Sequence, residues 1–184
     1  HGINKNEDKL FNAKEAFTDS KRNLWYYEMQ TLGFHYRITD IQCALALSQL
    51  KKLSKFIKKR ESLADYYRKK LEGHSSIVPA QIKSEKKNAN HLFPVRINFR
   101  LLGINRNELM SYLRSFKIIT QVHYIPITLH PYYSKNQLLN SSRNCFNYYD
   151  EALSLPLFYD MELDDIDYVL QNIDNFLKLR KTGI

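Results

Sequence analysis

A chain of 184 residues, 43% hydrophobic and 13% aromatic with five glycines and five prolines, can bury a core of its own without a disulfide or metal staple. It has no run of about 18 apolar residues and no apolar stretch near its start, which predicts a cytoplasmic protein with neither a membrane span nor a signal peptide. A formal charge of +9 would suit nucleic acid by sign alone. The basic residues, however, gather in KKLSKFIKKR (51–60), YRKK (67–70) and KSEKK (83–87), and the first two runs fall on the polar side of an amphipathic helix. No zinc finger, helix-turn-helix or aromatic RNA-binding motif accompanies them, so a solvated face or an anionic small molecule is expected rather than nucleic acid.

The chain opens with His1 and a polar, turn-rich stretch, which reads as a piece of a longer polypeptide. Residues 1–24 predict loop or short helix. WYYEMQTLGFHYRI (25–38) is aromatic around Gly33 and predicts a strand or extended loop that packs tightly. Thr39 and Gln42 have the capping-box spacing, and Ala46, Leu50, Leu53, Ile57, Ala64, Tyr67 and Leu71 follow at helical intervals. One long helix closed by Gly73 is expected, of roughly 34 residues and about 50 Å. Short strands at 76–79 and 91–98 come next, the second with Phe93 or Leu92, Val95 and Ile97 inward and with Pro94 favouring a sheet edge. Asn105 and Glu108 repeat the capping arrangement ahead of a helix to about Phe116, with Leu109, Leu113 and Phe116 on one face. The β-branched run 118–124 predicts a strand, 142–153 a helix, LSLP (153–156) a short strand and 163–179 a final helix. The whole is an α/β fold, a small mixed or antiparallel sheet with covering helices.

No self-sufficient catalytic set is present: the chain has no P-loop, G-x-G-x-x-G, G-x-S-x-G or H-E-x-x-H. Cys43 and Cys145 lack metal-ligand spacing and read as small buried apolar residues. The densest polar and aromatic tract is TQVHYIPITLHPYY (120–133). A strand end followed by a proline-bent loop is where α/β proteins place ligand groups, although aromatics beside prolines also simply pack. GFHYR (33–37) is the second candidate. An arginine just ahead of a helix N-terminus adds its fork of donors to backbone N–H groups, which suits a phosphate, or else it pairs locally.

These segments together resemble the DegT/StrS-type sugar aminotransferases of the aspartate-aminotransferase fold type I. The resemblance runs in order through HGI (1–3), WYYE (25–28), LGFHYRITDIQCALALSQLKKL (32–53), NHLFPVRI (90–97), residues 118–133 and YYDEALSLPLF (148–158). LSQLKKL and TQVHYIP are similar to members of pseudaminic acid type pathways. The resemblance implies a pyridoxal 5'-phosphate enzyme, acting as a homodimer, that moves an amino group from L-glutamate to a UDP-linked 4-keto-6-deoxy sugar. It implies that residues 1–50 are a remnant of the large cofactor-binding domain with the start of a linking helix, and that 51–184 are the C-terminal small domain. Arg37 matches an arginine that approaches the cofactor phosphate from the neighbouring subunit; His35 stands where an asparagine is usual. His123 and Tyr124 match the pair facing the nucleotide sugar, and Tyr132 and Tyr133 follow in the same loop. The Schiff-base lysine belongs to an S-x-H-x-x-K motif that none of this chain's lysines occupies, so no catalytic residue is assigned, and no metal. The alternative is a non-catalytic module, a degenerate paralogue that binds nucleotide sugar or an aminotransferase partner.

Overall fold

The computed structural model describes residues 2–4, 14–81, 87–135 and 143–181; most of the basic run at 83–87 and the start of the helix expected at 142 lie outside them. The chain divides into two compact units, residues 1–51 and 52–184.

The first unit has little core. Strand β1 (Ile3–Asn4) pairs antiparallel with β4 (Glu28–Met29), and β2 (Phe17–Thr18) with β3 (Lys21–Arg22) across a tight turn. Asp19 and Ser20 take positive φ there, as the twist of a two-residue hairpin demands. Gly2 is held by close approach: a Cβ would lie 1.8 Å from the Thr31 carbonyl oxygen. Helix α1 (Asp40–Leu50) starts on the expected capping box, with Thr39 N–H donating to Gln42 Oε1 at 2.9 Å and Gln42 N–H to Thr39 Oγ1 at 3.3 Å. None of its residues is buried. The aromatic segment ahead of it does not pack tightly as expected: Leu32 is 95% exposed and Tyr36 85%. An apolar helix without a buried residue, following an apolar loop that is exposed throughout, leaves a large apolar surface unpaired.

The expected long helix is interrupted. Lys51 and Lys52 separate α1 from α2 (Leu53–Lys70), although both keep right-handed helical dihedrals. The apolar stripe divides at the same place: Ala64, Tyr67 and Leu71 are buried, whereas Leu50 and Leu53 are exposed. Gly73, at φ +72°, ends the second helix.

The second unit holds the core. Strands β5 (Ile77–Pro79), β6 (Phe93–Ile97) and β7 (Ala152–Leu155) form an antiparallel sheet with β6 in the middle. Phe93, Val95 and Ile97 face inward and pair with Leu155, Leu153 and Ile77. Helices α2, α3 (Arg106–Ser115) and α6 (Leu163–Lys181) contribute Leu63, Tyr67, Leu109, Leu113, Ile166 and Ile173 to the same core. This is the α/β arrangement of a small antiparallel sheet with covering helices that was expected.

Pro94 is nonetheless in the central strand, against expectation. Its carbonyl accepts from Ala80 N–H on the β5 side, just beyond the end of that strand, while its partner across β7, Ser154, directs its own N–H and C=O to Gln121 instead. Pro94 and Ser154 therefore oppose each other without ladder bonds, and the missing N–H lies with the carbonyl on the β5 side, facing Ala80 just past the end of that strand. The run 118–124 is not a strand. It makes one bridge, Gln121 to Ser154, along the free edge of β7. The helix expected over 142–153 ends earlier, as α5 (Arg143–Glu151), because the chain from Ala152 enters β7. Neither cysteine is buried: Cys43 is half-buried and Cys145 exposed.

Two predictions follow from this packing. Tyr67 stacks on Phe93 with ring centroids 4.6 Å apart, and its hydroxyl donates to the Pro156 carbonyl at 3.1 Å. Burial pushes its phenol well above the usual tyrosine range. Below about pH 10 the phenol is protonated in both states; above it the unfolded chain ionises first, so this contribution to stability is lost as pH rises. Tyr67→Phe is expected to cost about 1 kcal/mol at neutral pH through the carbonyl left without its donor, and to flatten part of the alkaline decline, both read by urea unfolding. At the end of α3, Lys117 occupies φ +61°, with its N–H bonded to the Arg114 carbonyl and that of Ile118 to the Leu113 carbonyl. This helix ending favours glycine, so Lys117→Gly should raise stability by roughly 0.5–1 kcal/mol; an unchanged or lower denaturation midpoint would contradict it.

Candidate functional site

The helix ending at Lys117 turns the chain into the tract that carries His123 and Tyr124. Ser154 fixes that tract twice. Its N–H donates to the Gln121 carbonyl at 2.7 Å, Gln121 N–H returns to the Ser154 carbonyl at 3.2 Å, and Ser154 Oγ lies 2.8 Å from His123 Nδ1. With the serine hydroxyl as donor, Nδ1 accepts and the ring proton sits on Nε2, which makes Nε2 the nitrogen able to donate to a ligand. The Tyr124 ring stands edge-on to the imidazole, 4.6 Å between centroids, and is 73% exposed; the peptide joining the two residues is cis.

From Ile125 the chain passes buried Pro126 and a 3-10 turn, Ile127–Leu129, before the one-turn helix α4 (Pro131–Ser134) presents Tyr132 and Tyr133. These rings meet edge to face at 5.1 Å and are 76% and 41% exposed. Four of the six expected site residues thus lie in one loop system of the second unit, anchored at its start by β7. In chemical terms, an oriented imidazole and three exposed phenols can stack on rings and donate to polar oxygens. Sequence reading missed Ser154. Its signal is a single polar residue inside the otherwise apolar ALSL strand.

The other two, His35 and Arg37, belong to the first unit and lie in the exposed extended segment just before Thr39. Pyridoxal phosphate, which the resemblance implies, needs donors for its phosphate. The capping box already engages the N–H groups of Thr39 and Gln42, and Asp40 places a carboxylate in the first turn. The helix terminus is therefore a poorer anion cradle than the sequence suggests. Arg37 fits the phosphate through its own guanidinium fork, and His35 through a ring N–H.

A cavity of about 550 Å³ is bounded mainly by Phe116, Phe158, Met161 and Tyr168, and a smaller one of about 280 Å³ lies between α3 and residues 118–121. Neither is lined by any of the six residues. Among the described residues no helix is long and apolar enough to cross a membrane.

Comparison with known proteins bears on the same tracts. The chain is 33% identical over 162 residues to the spore coat polysaccharide biosynthesis protein SpsC of Bacillus subtilis, covering 86% of this chain and 42% of that protein. It is 34% identical over 163 residues to the UDP-4-amino-4,6-dideoxy-N-acetyl-beta-L-altrosamine transaminase of Campylobacter jejuni, covering 89% of this chain and 43% of the relative. Among solved structures, Helicobacter pylori PseC, an aminotransferase involved in pseudoaminic acid biosynthesis, superposes with a TM-score of 0.77 at 25% identity, covering 86% of this chain and 42% of PseC. The chain thus spans less than half the length of these relatives. The model of the DegT/DnrJ/EryC1/StrS aminotransferase family matches residues 1–174, and the chain belongs to that family.

Proposed function

We propose that this chain is the C-terminal portion of a pyridoxal-phosphate-dependent aminotransferase that moves an amino group from L-glutamate to a UDP-linked 4-keto-6-deoxy sugar of pseudaminic acid type, yielding 2-oxoglutarate. The observation that carries the reading is the 34% identity to the Campylobacter transaminase across 89% of the chain. Residues 1–50 belong on this reading to a large cofactor-binding domain and 51–184 to the small domain, in a cytoplasmic homodimer. The bare apolar surface of α1 and of the loop before it is what such an assembly would cover.

The cofactor, when bound, supplies the electron sink for amino transfer. The chain's own residues bind and orient. Arg37 and His35 hold the phosphate, and His123, kept in one tautomer by Ser154, offers Nε2–H to a sugar or diphosphate oxygen. Tyr124, Tyr132 and Tyr133 supply ring faces and hydroxyls for the nucleotide sugar. The Schiff-base lysine comes from the remainder of the polypeptide. His35, in place of the usual asparagine, favours a second reading, a non-catalytic nucleotide-sugar-binding or partner-binding module.

The native polypeptide decides between them. One more than twice this length, as the 42–43% share implies, with an S-x-H-x-x-K motif ahead of His1 and glutamate-dependent amino transfer to the keto sugar, supports the enzyme. Weak UDP binding without any pyridoxal phosphate uptake supports the module. In the native enzyme, Arg37→Gln is expected to weaken cofactor retention by roughly tenfold, measured by equilibrium dialysis, and unchanged retention would remove Arg37 from the site. Ser154→Ala is expected to shift the His123 ring to a mixture of tautomers, visible in its imidazole nitrogen resonances, and to raise KM for the nucleotide sugar more than it lowers kcat. A ring spectrum identical to the parent would show that Ser154 does not hold it.

A further inference from the structure

The turn between α2 and β5 is closed by one imidazole. Gly73, at φ +72°, ends the helix, and His74 N–H donates to the Leu71 carbonyl at 3.1 Å. The His74 ring then bonds on both sides. Ser76 N–H and Ile77 N–H donate to Nδ1 at 3.1 and 3.0 Å, and Nε2 lies 3.0 Å from Asp174 Oδ1 on α6. Two backbone N–H groups leave Nδ1 only the part of acceptor, and a carboxylate oxygen leaves Nε2 only that of donor. Both sides therefore select the same neutral tautomer, with the proton on Nε2.

The Ile77 N–H has no acceptor in the sheet ladder. Ala80 N–H bonds to the Pro94 carbonyl, so by antiparallel alternation Val78 is the next bonding position and Ile77, opposite Ile97, is a non-bonded one. Its N–H points off the free edge of β5, while the residue is only 1% exposed. A buried N–H without an acceptor is costly. His74 supplies that acceptor much as an asparagine does in an Asx turn. Histidine differs in being the residue type whose charge changes between about pH 5 and pH 8.

Protonation puts a hydrogen on Nδ1, where two N–H groups already point. The imidazolium accepts from neither, so the turn over 75–77 has to open. The bond to Asp174 persists, because Nε2–H is present in both forms, and Asp174 thus holds the ring on α6 without favouring the closed turn. The other charged groups on the surrounding elements are Lys70 and Glu72 at the end of α2, Asp167 and Lys178 on α6, and Arg96 on β6. Lys70 is bonded to Asp167 and Arg96 to Glu151. Carboxylate, ammonium and guanidinium groups ordinarily change charge outside the range of histidine, so the imidazole is the switching group. We propose that His74 is a pH-sensitive catch on the free edge of β5. The neutral ring closes the turn and holds the strand; protonation releases the turn with the ring still tethered to α6.

The test is hydrogen exchange of the isotopically labelled protein between about pH 8 and pH 5, each amide rate being divided by its intrinsic rate at the same pH, with the imidazole nitrogens followed in parallel. Protection of the Ile77 amide is expected to fall roughly tenfold as the His74 ring takes its proton, while the core amides of Val95 and Leu153 keep theirs. The Ser76 and Ile77 resonances should move with the same midpoint as the ring. His74→Asn offers Oδ1, an acceptor that does not titrate, to the same two N–H groups, and should make Ile77 protection independent of pH. Three results would overturn the proposal: a ring that stays neutral down to about pH 5, Ile77 protection unchanged through the ring's titration, or the same fall in the His74→Asn protein.

Discussion

Tyr67 ties the folded unit together through one side chain. Its backbone belongs to α2, its ring lies flat on Phe93 of the central strand, and its hydroxyl holds the carbonyl of Pro156 just past β7. Around it, the Arg60 guanidinium bonds to the carbonyls of Asn90, His91 and Leu157, so the same helix fixes both the entry to β6 and the exit from β7. The polar groups serve a buried junction between strands that carries no ladder bonds of its own. Because β7 is held at its far end in this way, Ser154 is a fixed point, and the tract bearing His123 is positioned from it.

That dependence explains why the site is legible only in part from the sequence. The residues of the His123 loop stand out as a dense aromatic and polar tract, and the capping box at Thr39 and the inward faces of β6 and α6 follow directly from spacing. The partner that orients His123 does not. Ser154 lies about thirty residues away, on a strand whose register is set by the core, and only the pairing of Gln121 with that strand brings the two together. The tract 118–124 has the β-branched composition of a strand, but just one residue of it finds a bridge, because the edge of β7 it runs along is used by Ser154 alone. Pro94 illustrates the same limit from the other side. Composition places proline at an edge, yet register can put it in a central strand where its missing N–H falls past the end of the neighbouring strand, as it does beside Ala80.

The helix at residues 40–70 shows how periodicity can be continuous while burial is not. The apolar stripe runs from Ala46 to Leu71 without a change of spacing, but only its second half meets a core. In the first half the apolar residues are spread around α1 rather than along one face, and none is buried. A helix of that composition has little reason to be stable in water by itself, since its length is near the lower limit for isolated helices and its apolar surface is unpaired. On the proposed reading its stability comes from the rest of the assembly. The family relation gives a consistent account, because the matched relatives are more than twice as long as this chain.

The two halves of the expected site therefore differ in physical standing. The His123 loop is anchored within a unit that has its own core, so its orientation is a property of this chain. Arg37 and His35 stand on a segment with no buried neighbours, ahead of a helix whose first-turn donors are partly consumed by Thr39 and Gln42. A guanidinium on such a segment binds weakly in isolation, because ordering the loop costs conformational entropy that a single contact does not recover. On the proposed reading, an assembly that covers α1 and the aromatic run before it meets most of that cost by apolar burial, and the same arginine then becomes an effective phosphate ligand. On the same proposed reading, cofactor affinity at Arg37 is coupled to assembly, whereas nucleotide-sugar recognition at His123 and Tyr124 is not.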